Sequence, residues 1–134
     1  MSLKSNITNK GSSVFIRPST VYLGRYLIRE TEYHFWSYTI NMTNCSSEDV
    51  KIIECWAEVI DSRGMVTKVR SVDGVWNKII KKNEALEYVT GVYLKSVSGV
   101  LRSWYEVEFL QSDFVLRING ELCSVDASFG DILQ

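Results

Sequence analysis

The sequence predicts an all-β domain built as a two-sheet sandwich, and three observations carry that expectation. Segments rich in Val, Ile, Thr, Tyr, Phe and Trp recur along the chain, separated by clusters of Gly, Asn, Asp and Ser. Within them apolar residues return at every second position, the period of a strand with one buried face, and helical period is nowhere sustained. The 134 residues are 46% hydrophobic and 23% charged, a balance that folds one core and excludes a disordered chain.

Residues 1–13 are polar and rich in Ser, Asn and Lys, so they read as a flexible N-terminal tail, with a single domain over 14–134. The first strand, 14–23, contains the only proline, Pro18, which places it at a sheet edge or on a bulge because proline cannot donate to a ladder. Strand 33–43 turns His34, Trp36, Tyr38, Ile40 and Met42 to one face. Strand 50–61 is read with Ile53, Cys55, Ala57 and Val59 inward and Glu54, Trp56 and Glu58 outward. Asp61-Ser62-Arg63-Gly64 supplies turn chemistry, with Gly64 free to take positive φ, and a hairpin into 65–72 follows. Strand 85–94 sets Leu86, Tyr88, Thr90, Val92 and Leu94 against Glu87, Val89 and Tyr93. Strand 100–110 puts Leu101, Tyr105, Val107 and Phe109 inward, with Arg102, Trp104, Glu106 and Glu108 outward; 114–119 closes the series with Phe114, Leu116 and Ile118 inward. About seven strands in one domain point to an immunoglobulin or fibronectin-III-like sandwich, with a barrel as the other arrangement.

The formal net charge of −1 gives no global attraction to nucleic acid or an anionic membrane surface, and no apolar run approaches the roughly 18 residues of a membrane-spanning helix. Cys45, Cys55 and Cys123 are odd in number and widely spaced, which suits a reducing compartment, and His34 alone cannot complete a zinc site with them. A cytoplasmic location without cofactor or metal is expected.

Two constellations stand out as candidate sites. The first is the loop holding Arg70, Ser71, Gly74, Asn77 and Lys78. Residues 63–82 carry six basic residues and one acid, against nine basic and fifteen acidic residues elsewhere. Such asymmetry draws anions, and loop N–H groups with Ser71 and Asn77 could add donors for a phosphate-containing small ligand. The competing reading is a solvated strand face and a lysine-rich turn.

The second is acidic and aromatic. If the strands at 50–61 and 100–110 pair, Glu54, Trp56, Glu58, Arg102, Trp104 and Glu106 share one outer face. Exposed tryptophans within a polar rim suit a protein interface. The alternative is that 24–32 or 125–134 covers them. The glutamates read as solvated carboxylates before metal ligands. His34 shares parity with core residues and reads as a packed imidazole, and no Ser/His/Asp or Cys/His set can be assembled. No catalytic residue is assigned.

Four segments in order resemble the ApaG domain family. They are the strand Trp36-Ser37-Tyr38-Thr39-Ile40-Asn41-Met42-Thr43-Asn44, the hairpin at 61–70, the strand Glu87-Tyr88-Val89-Thr90-Gly91, and Gly99-Val100-Leu101-Arg102-Ser103-Trp104-Tyr105-Glu106-Val107. The resemblance implies a fibronectin-III-like sandwich and a non-enzymatic binding or regulatory module, with an unknown protein partner and an association with cobalt and magnesium homeostasis. It also implies a Gly-x-Gly-x-x-Gly loop for pyrophosphate-like groups. Here Ser71, Gly74 and Asn77 occupy those places, with one extra residue between the first two, so side-chain attraction by Arg70 and Lys78 outweighs a backbone cradle. The alternative activities are pyrophosphate or nucleotide binding, or metal-dependent phosphate-ester hydrolysis, through 63–82.

Overall fold

The computed structural model describes residues 13–69 and 77–127. Among the described residues nine strands follow one another: β1 (Val14–Ile28), β2 (Thr31–Asn44), β3 (Val50–Asp61), β4 (Val66–Val69), β5 (Ile79–Ile80), β6 (Ala85–Leu94), β7 (Ser98–Phe109), β8 (Phe114–Asn119) and β9 (Cys123–Asp126). One sheet has the order β1-β2-β6 and the other the order β4-β3-β7-β8, with β5 also on β3 and β9 also on β7. Because β4 and β5 share one edge of β3, and β8 and β9 one edge of β7, the nine strands fill seven positions of a two-sheet sandwich. Every pairing is antiparallel. No helix of the described residues is long and apolar enough to cross a membrane.

The alternation seen in the sequence builds the core. Trp36, Tyr38, Ile40 and Met42 of β2 are fully enclosed, facing Ile52 and Val59 of β3 and Leu101, Tyr105, Val107 and Phe109 of β7 in one apolar cluster. Pro18 does lie on an edge strand, β1, and Gly64 takes φ 83° in the β3–β4 turn, where both N–H groups of Arg63 and Met65 donate to Oδ1 of Asp61.

Three features correct the sequence reading. A register break between Ile52 and Glu54 makes Ile53 the extra residue of a β-bulge, so Ile52 and not Ile53 faces the core. Residues 24–32 are no loop: β1 continues to Ile28, and a two-residue turn at Arg29 and Glu30, both at positive φ (48° and 68°), returns the chain into β2. Residues 123–126 form a strand, β9, that alternation had not marked.

Gly99 shows what close approach demands. A Cβ there would sit 2.8 Å from Cγ1 of Val59 and 2.9 Å from the carbonyl oxygen of Ile60, so β3 and β7 meet at this register only with glycine.

Candidate functional site

Cross-strand register assembles the acidic and aromatic face. On β3 and β7, Glu58 lies opposite Arg102, Trp56 opposite Trp104, and Glu54 opposite Glu106. The side chains leave the sheet on the side away from the core because both strands alternate regularly from Glu54 onward. The two indole rings stack with centroids 6.0 Å apart at 23°, and Trp56 keeps 37% of its surface exposed. Offset aromatic pairs of this kind contribute about 0.5–1.5 kcal/mol beyond their buried area.

The next strand completes the surface. Arg117 of β8 stands opposite Glu106 and carries its guanidinium over the Trp104 ring, 5.0 Å from the centroid, in cation–π contact. Nε and Nη2 of Arg102 both reach Oε1 of Glu58, whose side chain is 13% exposed, while Lys68 on β4 lies opposite Glu58 from the other side. With Arg102 half exposed, that ion pair contributes no more than about 1 kcal/mol, and its main effect is to fix where the guanidinium points. Glu54 and Glu106 face each other as like charges, a local cost offset where Arg117 adjoins Glu106. Beside Trp104, a groove of about 440 Å³ opens between Arg102, Arg117, Asn119 and Leu122. The face is therefore an aromatic centre held between two arginines and rimmed by carboxylates.

All six residues expected on this face, Glu54, Trp56, Glu58, Arg102, Trp104 and Glu106, are brought together by the β3–β7 register. Of the segments suggested as a cover, 24–28 pairs within the other sheet and 125–126 pairs with the opening of β7, while 128–134 lie outside the described residues. Sequence reading missed Arg117; its period-two position in 114–119 was the available signal.

The basic loop is placed only in part. Arg70, Ser71 and Gly74 lie outside the described residues. Asn77 has φ 64° and spends its backbone N–H on the carbonyl of Ile52, while the carbonyl of Lys78 accepts from Ile52 N. These bonds fasten the loop's end to the β3 bulge, so the Asn77 backbone contributes no donor to an anion cradle. The side chains of Lys78, Lys81 and Lys82 are exposed.

His34 is 5% exposed, with Nδ1 hydrogen bonded to the Tyr22 hydroxyl at 2.9 Å and its ring beside Trp36. It is packed as expected. A second buried polar group, Glu48, went unrecognised in the sequence. Its Oε1 accepts from the N–H groups of Gln111 and Ser112, and its Oε2 from the Ser112 hydroxyl, so it caps the turn between β7 and β8.

The ApaG domain family model matches residues 26–109, well over half of the chain. The chain belongs to the ApaG domain family. It is 32% identical over 88 residues to Protein ApaG of Rhodopseudomonas palustris (strain TIE-1), spanning 65% of this chain and 68% of that one. Protein ApaG of Parvibaculum lavamentivorans is 26% identical over 102 residues, 75% of this chain and 78% of the relative. Among solved structures, a structural-genomics target superposes with TM-score 0.77 at 20% identity, covering 87% of this chain and 88% of its own. A Bordetella pertussis protein described as ApaA superposes with TM-score 0.74 at 18% identity, over 84% and 92%. Those likenesses speak to the fold. The match of this ApaG domain ends at the close of β7, so Arg117 and the groove wall on β8 lie beyond it.

Proposed function

We propose that this ApaG domain is a non-enzymatic module that binds a protein partner through the β3–β7–β8 face. The observation that carries the reading is the Trp56–Trp104 stack with Arg117 across it, left partly open to solvent on a sheet whose other face already supplies the core. Trp and Arg are among the residue types that most often anchor protein contacts: Trp buries a large area for two frozen torsions, and Arg offers a planar fork of directed donors. Glu54 and Glu106 at the rim favour a partner with basic residues around an apolar centre. Any part in divalent-cation homeostasis would then act through that partner.

Immobilised wild-type chain should retain a protein from cell extract that Trp104→Ala and Arg117→Ala each release. Retention unchanged in both variants, or no retained protein with the wild type, overturns the proposal.

A further inference from the structure

Each free strand edge in a sandwich exposes N–H and C=O groups that can template another strand, and folded chains normally blunt them with proline, bulges, charges or short strands. Among the described residues, three of the four edges are blunted. The edge of β3 is divided between β4 and β5, four and two residues long, and that of β7 between β8 and β9, six and four residues. The edge strand β1 carries Pro18 and a register break between Tyr22 and Gly24, and near it Ile16 O accepts from Glu121 N and Thr20 Oγ1 donates to Ser124 O.

Of these devices β6 keeps only one, the charged side chain of Glu87 on its solvent face. Its ten residues pair with β2 without a break, contain no proline, and turn no charge toward the core. The ladder bond from Asn44 N to Glu84 O directs the even-numbered residues of this segment at β2. The N–H and C=O groups of Glu87, Val89, Gly91 and Tyr93 therefore point away from β2, along an open edge, and their side chains share the solvent face with 57% of Val89 and 55% of Tyr93 exposed.

We propose that the chain pairs with a second copy of itself through β6, edge to edge and antiparallel, about a two-fold axis at Gly91. Directly opposed residues in an antiparallel ladder either both turn their backbone groups toward each other or both turn them away, so they share parity and an isologous pairing is centred on a residue and not between two. With the axis at Gly91, Val89 meets the partner's Tyr93, and Glu87 comes opposite the partner's Lys95, the exposed bend residue that directly follows the end of β6 at Leu94, twice per dimer. Centres one residue to either side place Glu87 against a neutral position and leave Lys95 unpaired. Gly91 suits the axis, since a Cβ built there has open space around it and its absence leaves room where the two strands face each other. Tyr93, already stacked on Phe35 with centroids 5.3 Å apart, extends the contact onto the sheet face. The join makes one continuous six-stranded sheet from two three-stranded ones and leaves the β3–β7–β8 face of each copy free.

Sedimentation equilibrium of the full chain, over about 1 μM to 1 mM, should show a monomer–dimer equilibrium. Glu87→Lys alone and Lys95→Glu alone each oppose like charges and should raise the dissociation constant about tenfold, while the double variant restores it. The amides of Glu87, Val89, Gly91 and Tyr93 should exchange more slowly as concentration rises. A monomer at every concentration overturns the proposal and leaves the edge to another protein's strand. A dimer indifferent to both single reversals, or unprotected amides within a dimer, overturns it as well.

Discussion

Trp56 on β3 and Trp104 on β7 stand directly opposite each other on the outer face of the larger sheet, their rings stacked 6.0 Å apart, while Tyr105 and Cys55 beside them point into the core. One register thus specifies both a packed interior and an aromatic exterior. Because the pair lies outside the core, Trp56→Ala should cost only about 1–3 kcal/mol, the stacking term and a partial loss of buried area. Urea denaturation would read this as a lower midpoint with an unchanged slope.

Glu48 should matter more than its sequence context suggests. It is 5% exposed and receives three hydrogen bonds at the β7–β8 turn, two of them from backbone N–H groups. Glu48→Ala leaves those donors without their acceptor and should destabilise by about 2–3 kcal/mol, with Glu48→Gln intermediate. Amide exchange at Gln111 and Ser112 should accelerate in both variants.

Burial pushes the Tyr38, Tyr88 and Tyr105 hydroxyls above the ordinary tyrosine range. In the unfolded chain all three ionise near pH ~10, whereas the folded chain keeps their protons. The unfolded state therefore binds fewer protons above that pH, and stability, undiminished below it, falls as pH rises further. Each such group should remove about 1.4 kcal/mol per pH unit. Denaturation at rising alkaline pH should show that decline, and Tyr88→Phe should make it shallower.

The Arg29–Glu30 turn places two side-chain-bearing residues in the left-handed region, where asparagine and glycine are at ease. Replacing them by Asn-Gly should stabilise the hairpin by about 1–2 kcal/mol, seen as a higher thermal midpoint with the same spectrum.

How much of this was legible follows from where alternation holds. In β2, β6 and β7 it is unbroken, so the inward set from His34 to Met42 and the outward set from Arg102 to Glu108 could be read directly. Trp56 and Trp104 could be paired because strand order in such sandwiches is regular. The bulge at Ile53 could not be read, since one extra residue in an apolar run keeps the same composition while reversing parity. A second break, before Gly24, turns Tyr26 to the solvent face beside Phe35, 4.9 Å away, by the same effect. Glu48 was hidden because its donors lie 63 and 64 residues further along the chain. The basic loop read from Arg70 to Lys78 meets the described structure only at Asn77 and Lys78, where the backbone is committed to β3.

The most direct test of a partner-binding face is site-specific photo-cross-linking in cells, with the cross-linker at position 54 or 119 on the outer face of the larger sheet and at position 39 on the other sheet as control. An adduct with a different protein should form from 54 and 119, disappear on Trp104→Ala and be absent from 39. No adduct from either position, or adducts that survive Trp104→Ala, would contradict partner binding through this face.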